Sequence, residues 1–229
     1  IYFKKNRDIN KSPLNYSGSK DVVLPAIFKR LPKHVGTFVD AMGGAFNVGA
    51  NVFATNKVIY NEYNPYVFGI VEMILKKDKK VLIDEVSEIV NRFELKKKAR
   101  SEYISLRDHY NNIDKSPINL FTLQIYAFQN MIRFNSSQKM NTPVGNNEFN
   151  EGTKERIEKF KVNSPQFELR LGSYEELPVD EFPKDTIFYF DPPFFITNAE
   201  YNDGKRGLDG WDADKDSSLL KFLLSIHQK

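Results

Sequence analysis

The 229-residue chain contains no cysteine. This absence excludes disulfides, thiolate zinc sites and every mechanism that begins with a cysteine nucleophile, including thiolate attack on a ring carbon of cytosine. The chain also lacks an apolar run of the about 18 to 20 residues that a membrane-spanning helix needs, and its first residues show no signal-peptide pattern. We therefore expect a cytoplasmic protein with no membrane partner.

Histidine is scarce as well. The three histidines, His34, His109 and His227, lie too far apart in sequence to form a short-range pair of metal ligands, so we expect surface or hydrogen-bonded histidines and no metal site. Hydrophobic residues make up 41% of the chain and charged residues 28%, which is typical of globular proteins. This length suits one large domain, or one domain with an inserted subdomain.

Positive charge is in small excess. The net charge of +3 permits nucleic-acid binding without requiring it. Two local runs are more basic, residues 76–80 and residues 96–100. Phosphate contacts and solvated helix ends explain both runs, and the sequence leaves the two explanations open.

The most informative motif is D-P-P-F at residues 191–194, which follows the apolar run 186–190. β-branched and aromatic residues favour a buried strand, and two prolines end it because proline has no N–H for sheet pairing. A carboxylate then lies at the carboxyl end of a strand, where open α/β sheets bind ligands. The acid and the neighbouring carbonyls suit an exocyclic amino group, and the ring of Phe194 suits stacking on its base. A plain strand end remains the alternative.

A second unit lies upstream. The short strand 37–40 is followed by the glycine-rich segment 41–49, by apolar residues suited to a helix, and by a second strand, 57–61, which ends at Glu62. Small residues let the backbone approach a ligand closely, and an acid after the second strand holds ribose hydroxyls. The glycine spacing is not G-x-G-x-x-G, so a dinucleotide is the poorer candidate.

Periodicity predicts the remaining elements. Apolar residues recur at helical spacing between Val81 and Tyr110, and a second apolar helical stretch spans residues 118–134. Residues 133–145 are polar and turn-rich, which indicates an exposed loop. A further strand is expected at 167–171, and residues 218–226 favour a helix.

This order of elements predicts an α/β protein with an inserted helical subdomain. We assign residues 1–80 and 165–229 to a catalytic, cofactor-binding domain and residues 81–164 to the insert. An open sheet of this kind usually needs further strands, so we expect C-terminal strands to be missing. The first residue is Ile1 and not methionine, which agrees with a fragment.

Several motifs, in this order, resemble the Dam-type DNA adenine methyltransferases. The residues that carry the resemblance are L-N-Y-S-G-S-K at 14–20, F-V-D-A-M-G-G-A at 38–45, N-E-Y-N at 61–64, R-F-N at 133–135, N-T-P-V-G at 141–145 and D-P-P-F at 191–194. Met42 and Phe46 depart from the family's usual glycine turn, and Phe194 stands where tyrosine is usual. The resemblance implies a Rossmann-like, S-adenosylmethionine-dependent methyltransferase fold with an inserted DNA-recognition subdomain.

The resemblance also implies the catalytic residues. The Asp191 carboxylate and the Pro192 carbonyl would accept hydrogen bonds from the adenine amino group, and Phe194 would stack on the flipped base. The methyl donor would be S-adenosylmethionine, with no metal and no covalent enzyme intermediate.

Cofactor contacts are implied for residues of the same motifs and for one further tyrosine: Tyr16, Lys20, Asp40, Gly43, Glu62, Tyr174 and Asp191. Three of them have a structural alternative, which is a packed aromatic for Tyr16, a surface amine for Lys20 and a strand-end acid for Glu62. For Tyr174, a place beside the adenine ring of the cofactor and plain core packing are equally open.

Sequence specificity is expected from the insert. Arg133 would pair with a guanine in the major groove, and Gln129, one helical turn earlier, would face the same groove; Asn135 is the third expected DNA contact. A phosphate contact or an ion pair is the alternative for Arg133.

The sequence therefore predicts a site-specific adenine methyltransferase that acts on double-stranded DNA, with a restriction endonuclease or a further domain as possible partner. Two alternatives stay open. One is the same chemistry on the amino group of cytosine or on RNA, and the other is a non-catalytic DNA-binding module with the same fold.

Overall fold

A computed structural model describes residues 9–16, 20, 22–193 and 211–227. Its centre is a four-stranded, fully parallel sheet of strand order β3-β2-β1-β4. The strands are β1 (Thr37–Asp40), β2 (Lys57–Glu62), β3 (Phe167–Leu171) and β4 (Ile187–Tyr189). The four strands expected from the sequence are thus present, with the run 186–190 one residue shorter at each end.

The two central strands are buried almost throughout, because both of their faces are covered. Their sequences are accordingly rich in β-branched and aromatic residues, as expected for a parallel sheet. Register places Asp40 of β1 level with Tyr60 of β2 and with Tyr189 of β4. From β1 the chain builds towards β3 on one side and later returns to β4 on the other, so the direction of strand addition reverses between β1 and β4.

The connection from β1 to β2 contains no α-helix, contrary to the sequence expectation. It holds a single 3₁₀ turn at Gly49–Asn51. Asparagine side chains bind backbone groups here: Asn51 Nδ2 donates at 2.8 Å to the Asn47 carbonyl, which in a helix would accept the Asn51 N–H, and Asn47 Oδ1 accepts the Ser12 N–H at 2.9 Å. Asparagine side chains compete in this way with helical hydrogen bonds.

Seven helices lie within the described part of the chain. They are α1 (Leu24–Phe28), α2 (Pro65–Lys76), α3 (Lys79–Arg92), α4 (Arg100–Asn112), α5 (Pro117–Tyr126), α6 (Glu151–Lys159) and α7 (Ala213–His227). Side-chain oxygens of Asn64, Asp78 and Asn150 cap α2, α3 and α6 by accepting backbone N–H groups of the first turn.

Two helix predictions need correction. The amphipathic stretch 81–110 is divided between α3 and α4, and Glu94 and Lys98 in the loop between them have left-handed φ angles of 52° and 63°. The stretch 118–134 is helical only to Tyr126, where α5 ends. Apolar periodicity continued past both ends because some of the following residues, such as Leu95, Ile132 and Phe134, are also buried, in extended or turn conformations.

One hydrophobic core joins the sheet to the helices. Its fully buried members include Phe38 and Tyr60 from the sheet and Tyr110, Phe121 and Ile157 from α4, α5 and α6. A smaller cluster on the opposite face contains Val39, Ala41, Ile59 and Leu177, against which aromatic residues of the chain around β4 and α7 pack. The helices between β2 and β3 are therefore packed against the sheet as part of its main core.

The described residues lack membrane-spanning helices and metal-binding groups. No helix among them is both long and apolar enough to cross a bilayer. They also contain no group of three or more histidine, cysteine, aspartate or glutamate side chains placed to hold a metal ion.

Candidate active site

Three acids lie at the carboxyl edge of the sheet, where β1, β2 and β4 end. Asp40 is the last residue of β1, Glu62 is the last residue of β2, and Asp191 lies two residues beyond the end of β4. This edge includes the reversal of strand order between β1 and β4, which is where open α/β sheets bind ligands. The structure thus brings together three of the residues expected at the site.

The Asp40 side chain is buried, and its Oδ2 accepts the Gly49 N–H at 2.8 Å. Burial raises the pKa of Asp40 to about 7, since a charge is costly away from water; the Gly49 N–H opposes the shift, and the nearby Asp191 and Glu62 carboxylates add to it. A Cβ at Gly49 would lie 2.9 Å from Asp40 Oδ2. Glycine at this position therefore allows the close contact with the acid.

Glu62 holds the glycine turn in place. Its Oε2 accepts the Gly44 N–H at 2.7 Å and its Oε1 accepts the Asn64 N–H at 2.7 Å. Gly44 has a φ of +50°, which glycine adopts at little cost. Burial raises the pKa of Glu62, and backbone N–H donors counter the shift. The acid is more than a strand-end residue, because both of its oxygens fix the backbone of the site.

The turn itself is built around Tyr60. The Tyr60 hydroxyl donates to the Gly44 carbonyl at 2.8 Å, and a Cβ at Gly43 would lie 2.3 Å from the Tyr60 ring. Phe46, an unusual residue for this motif, is fully buried with a left-handed φ of 61° and packs against Tyr60 at 4.6 Å between ring centroids. The structure therefore gives Gly43 a packing role in addition to the cofactor contact that stays a prediction.

Lys20 and Asp191 form an ion pair, with Lys20 Nζ 2.7 Å from Asp191 Oδ2. Their side chains are 20% and 26% exposed, so the pair is accessible to a ligand. Tyr16 lies nearby, because a Cβ at Gly44 would be 3.6 Å from its ring. The expected members of the amino-terminal motif are thus next to the acids. Pro192 follows Asp191 directly, whereas Phe194 lies outside the described residues.

Tyr174 packs among aromatic side chains. Its ring makes edge contacts with Phe190 at 6.2 Å and Phe222 at 5.3 Å between centroids, and it lies 6.4 Å from the ring of Trp211. Burial raises the pKa of Tyr174 to about 12. Within the described ranges, none of the contacts of Tyr174 joins it to the three acids. The packing alternative is therefore supported, and the cofactor contact stays a prediction.

The segment expected to be an exposed loop, residues 133–145, contains a hairpin at residues 133–141 that is attached to α4. Phe134 and Met140 pair across it and are 2% and 1% exposed, so the expectation was wrong for these positions. Asn111 of α4 holds one arm: its Nδ2 donates to the Met140 carbonyl at 2.9 Å and its Oδ1 accepts the Met140 N–H at 2.7 Å. Polar composition alone gave no sign of these buried side-chain-to-backbone bonds.

Arg133 is oriented by the same hairpin. Its Nε donates to Asn141 Oδ1 at 2.9 Å, and in the part of the chain that is described no carboxylate lies within ion-pair distance of it. Asn135 has a structural role that the motif did not indicate, since its Oδ1 accepts the N–H groups of Ser137 and Lys139, both at 3.0 Å. The guanidinium is thus held by a neutral partner at the surface.

Gln129 is not on a helix, which corrects the argument that placed it one helical turn before Arg133. It lies in a 3₁₀ turn, Phe128–Asn130, in which Gln129 and Asn130 both have left-handed φ angles, of 52° and 54°. Asn130 Nδ2 ties this turn to α5 by donating to the Gln124 carbonyl at 3.0 Å. Phe128, which the sequence analysis did not single out, is 47% exposed beside Gln129.

The donor set defines what this edge can hold. Three carboxylates and one ammonium suit a ligand that carries positive charge, hydroxyl groups and a carboxylate. The two oxygens of Glu62 accept the N–H groups of Gly44 and Asn64, with the Tyr63 N–H as a further donor, and keep acceptor capacity for a ligand hydroxyl, because a carboxylate has about four lone-pair sites. Lys20 offers ammonium donors to a carboxylate. A zwitterionic nucleoside is a chemical match.

Comparison with known proteins agrees with this geometry. Residues 16–228 match the family described as D12 class N6 adenine-specific DNA methyltransferase. The chain is 60% identical over 226 residues to the modification methylase LlaI of Lactococcus lactis subsp. lactis, covering 99% of this chain and 36% of that protein. It is 31% identical over 229 residues to the type II methyltransferase M.FokI of Planomicrobium okeanokoites, covering 98% and 35%.

A third relative is the modification methylase StsI of Streptococcus sanguinis, which is 30% identical over 245 residues, covering 99% of this chain and 37% of that protein. The chain thus spans about a third of the length of the curated relatives that it matches.

Proposed function

Because the chain belongs to the D12 class N6 adenine-specific DNA methyltransferase family, we propose that it transfers a methyl group from S-adenosylmethionine to the exocyclic amino group of adenine in duplex DNA. The observation that carries the proposal is that Asp40, Glu62, Asp191 and Lys20 lie together at the carboxyl edge of the sheet, where the direction of strand addition reverses between β1 and β4. We place this activity in the cytoplasm of a bacterium or in a phage-infected cell, as part of a restriction-modification system.

The residues of this edge fit S-adenosylmethionine. Glu62 would hold the ribose hydroxyls, Lys20 the carboxylate of the methionine end, and the glycine turn beside Gly43 would allow close approach of the backbone. The negative charge of the acids suits the positively charged sulfur. When bound, the cofactor supplies a methyl group that is already activated for transfer and needs no metal.

Asp191 is proposed to act on the adenine amino group. Its carboxylate and the Pro192 carbonyl accept hydrogen bonds from the two N–H groups, which withdraws the nitrogen lone pair from the ring and directs it outward for attack. Lys20 now occupies Asp191 Oδ2 at 2.7 Å. The lysine must therefore share or leave this oxygen when the base is bound, and the carboxylate of the cofactor gives it an alternative partner.

The insert is proposed to read the DNA sequence. Residues 81–164, which include the hairpin and the turn at Phe128–Asn130, would face the duplex. Arg133 would form a bidentate pair with guanine, the commonest specific contact in the major groove. Exposed Phe128 and Gln129 on a strained but well-anchored turn are further DNA-facing candidates. Because the relatives are longer than this chain, we also propose that a nuclease or another domain acts as its partner.

The decisive experiment measures the product and the binding step separately. The protein is incubated with labelled S-adenosylmethionine and bacterial DNA from a strain lacking adenine methylation, and the methylated nucleosides are separated; we expect N6-methyladenine. Asp191→Asn should abolish the product. Asp185→Asn is the matched control, because Asp185 is an exposed acid at the opposite end of the same strand. Calorimetric titration reports cofactor binding without DNA.

Each alternative has its own outcome. If the product is methylated cytosine, the protein methylates the amino group of cytosine and not that of adenine. If the label is found on RNA alone, the substrate is RNA and not DNA. Duplex binding without cofactor binding, in a chain shown to be folded, would indicate a non-catalytic DNA-binding module.

A further inference from the structure

The two lysine-rich runs each contain four basic residues. They differ in the contacts that these residues make in the structure. In the first run, Lys76 pairs with Glu72 at 2.7 Å, Lys77 pairs with Glu85, and Lys79 donates to the Ile74 carbonyl. Burial lowers the pKa of Lys79. Three of the four lysines in this run thus bind groups of their own helix pair. The lysines of this run are therefore explained by hydrogen bonds and ion pairs at the junction between α2 and α3.

The second run has a different environment. Lys96, Lys97, Lys98 and Arg100 are all exposed. None of the four has an ion pair within 4.0 Å among the residues that the structure describes; Glu102 is the acid whose charge interacts with Lys96. These four side chains, which we name the basic loop, therefore form a concentrated positive surface that makes no ion pair with the described part of the chain.

The basic loop is fixed against the segment that carries the predicted DNA contacts. The Lys98 N–H donates to the Gly145 carbonyl at 3.2 Å, and the Gly145 N–H donates to the Tyr126 carbonyl at 2.7 Å. The Phe128 N–H donates to the Pro143 carbonyl at 2.8 Å. Three backbone segments thus lie side by side: the basic loop, residues 143–145, and the turn that presents Phe128 and Gln129.

The close approach depends on a glycine. A Cβ at Gly145 would lie 2.5 Å from the Ala127 carbonyl oxygen and 2.8 Å from the Phe128 nitrogen. Lys98 has a left-handed φ of 63°, which turns the chain at the point where its N–H reaches Gly145. The loop is also anchored by Leu95, which is 5% exposed. Its charges are therefore held at a fixed position beside the turn.

We propose that the basic loop binds DNA phosphates flanking the target site, whereas the run at 76–80, which also has four basic residues, does not touch DNA. The proposal rests on the proposed function and adds to it the surface that supplies the sequence-independent part of binding. Lysine and arginine that neutralise phosphates release counterions, so each contact contributes a slope of about −0.9 to the dependence of log K on log salt concentration. Such contacts position the protein on the duplex without reading bases.

The test compares two triple variants with equal loss of charge. K96Q/K97Q/R100Q removes three charges from the basic loop and leaves the backbone of Lys98 unchanged, and K76Q/K77Q/K80Q removes three from the first run. Binding to a fluorescent 30-base-pair duplex of mixed sequence is followed by anisotropy between 20 and 200 mM salt. Circular dichroism and thermal melting establish that both variants are folded.

We expect the slope of log K against log salt concentration to become shallower by up to about 2.7 in the basic-loop variant, which corresponds to three contacts at 0.9 each. In the first-run variant the slope should change by less than about 0.9, the value of one contact. Equal changes in the two variants would show that only net charge matters and would overturn the assignment, as would an unchanged slope in the basic-loop variant. Failure of the unsubstituted protein to bind duplex DNA would instead refute the proposed function, and the inference with it.

Discussion

The stability of the protein should depend on pH through Asp40, and Asp40→Asn isolates the effect. The folded-state pKa of Asp40, about 7, lies above its ordinary value of 3.8. The native state therefore binds a proton that the unfolded state has released at intermediate pH. A raised carboxyl pKa adds stability that is fully present below pH 3.8 and is lost as pH rises through 7.

The magnitude follows from the linkage relation. Between pH 5 and pH 8 the contribution of Asp40 falls by about 2.5 kcal/mol, from the two pKa values and 1.36 kcal/mol per unit. Asparagine has the same shape, carries no charge at any pH and can keep accepting the Gly49 N–H. The unfolding free energy of Asp40→Asn minus that of the unsubstituted protein should therefore rise by this amount over the same interval.

Urea denaturation at pH 5, 6, 7 and 8, followed by circular dichroism and Trp211 fluorescence, measures the difference. Contributions from other titrating groups are shared by both proteins and largely cancel, and loss of repulsion from Glu62 and Asp191 acts in the same direction. Asp185→Asn serves as the control for the replacement of an exposed acid. A flat difference for Asp40→Asn would refute the assignment of a buried proton to Asp40.

Three further substitutions test the packing and the recognition residues. Gly43→Ala places a Cβ 2.3 Å from the Tyr60 ring and should cost about 1 to 3 kcal/mol of stability, seen as a lower melting temperature; an unchanged one would mean that the turn adjusts freely. Asn111→Ala leaves both backbone groups of Met140 without their described partner and should cost about 2 to 4 kcal/mol, with faster amide exchange at Met140; unchanged exchange would contradict the hairpin's attachment. Arg133→Ala should lose about 1 to 3 kcal/mol of discrimination at one base pair in a sequence-selection assay, whereas a uniform loss would indicate a phosphate contact.

The sheet could be predicted because its strands carry their signal locally. β1 and β2 are short β-branched or aromatic runs bounded by turn residues, and the acids Asp40 and Glu62 end them directly. Once the strands are parallel, their carboxyl ends share one edge. The grouping of the acids thus followed from sequence alone.

Other features depend on partners that are distant in sequence. Phe134 and Met140 of the hairpin at 133–141 are buried because α4 holds this segment: Asn111 binds the backbone of Met140, and the Tyr103 hydroxyl donates to the carbonyl of Thr142 just beyond it. Nothing in the polar composition of the segment encodes these contacts. Left-handed φ angles at Phe46 and Gln129 are imposed by packing and by neighbouring hydrogen bonds, since neither residue type favours them. The two lysine runs likewise differ through the acids that their surroundings supply.

The proposed cofactor and DNA surfaces are connected through one buried residue of α5. Gln124 Nε2 donates to the carbonyl of Asn130, at the end of the turn that presents Phe128, and also to the carbonyl of Asn15, the residue before Tyr16. Tyr16 in turn packs beside Gly44, whose N–H is bound by Glu62. This chain of contacts runs from the proposed DNA-facing turn to Glu62, the proposed ribose-binding acid. Within the proposed function, α5 therefore links the two surfaces through a continuous series of hydrogen bonds and packing contacts.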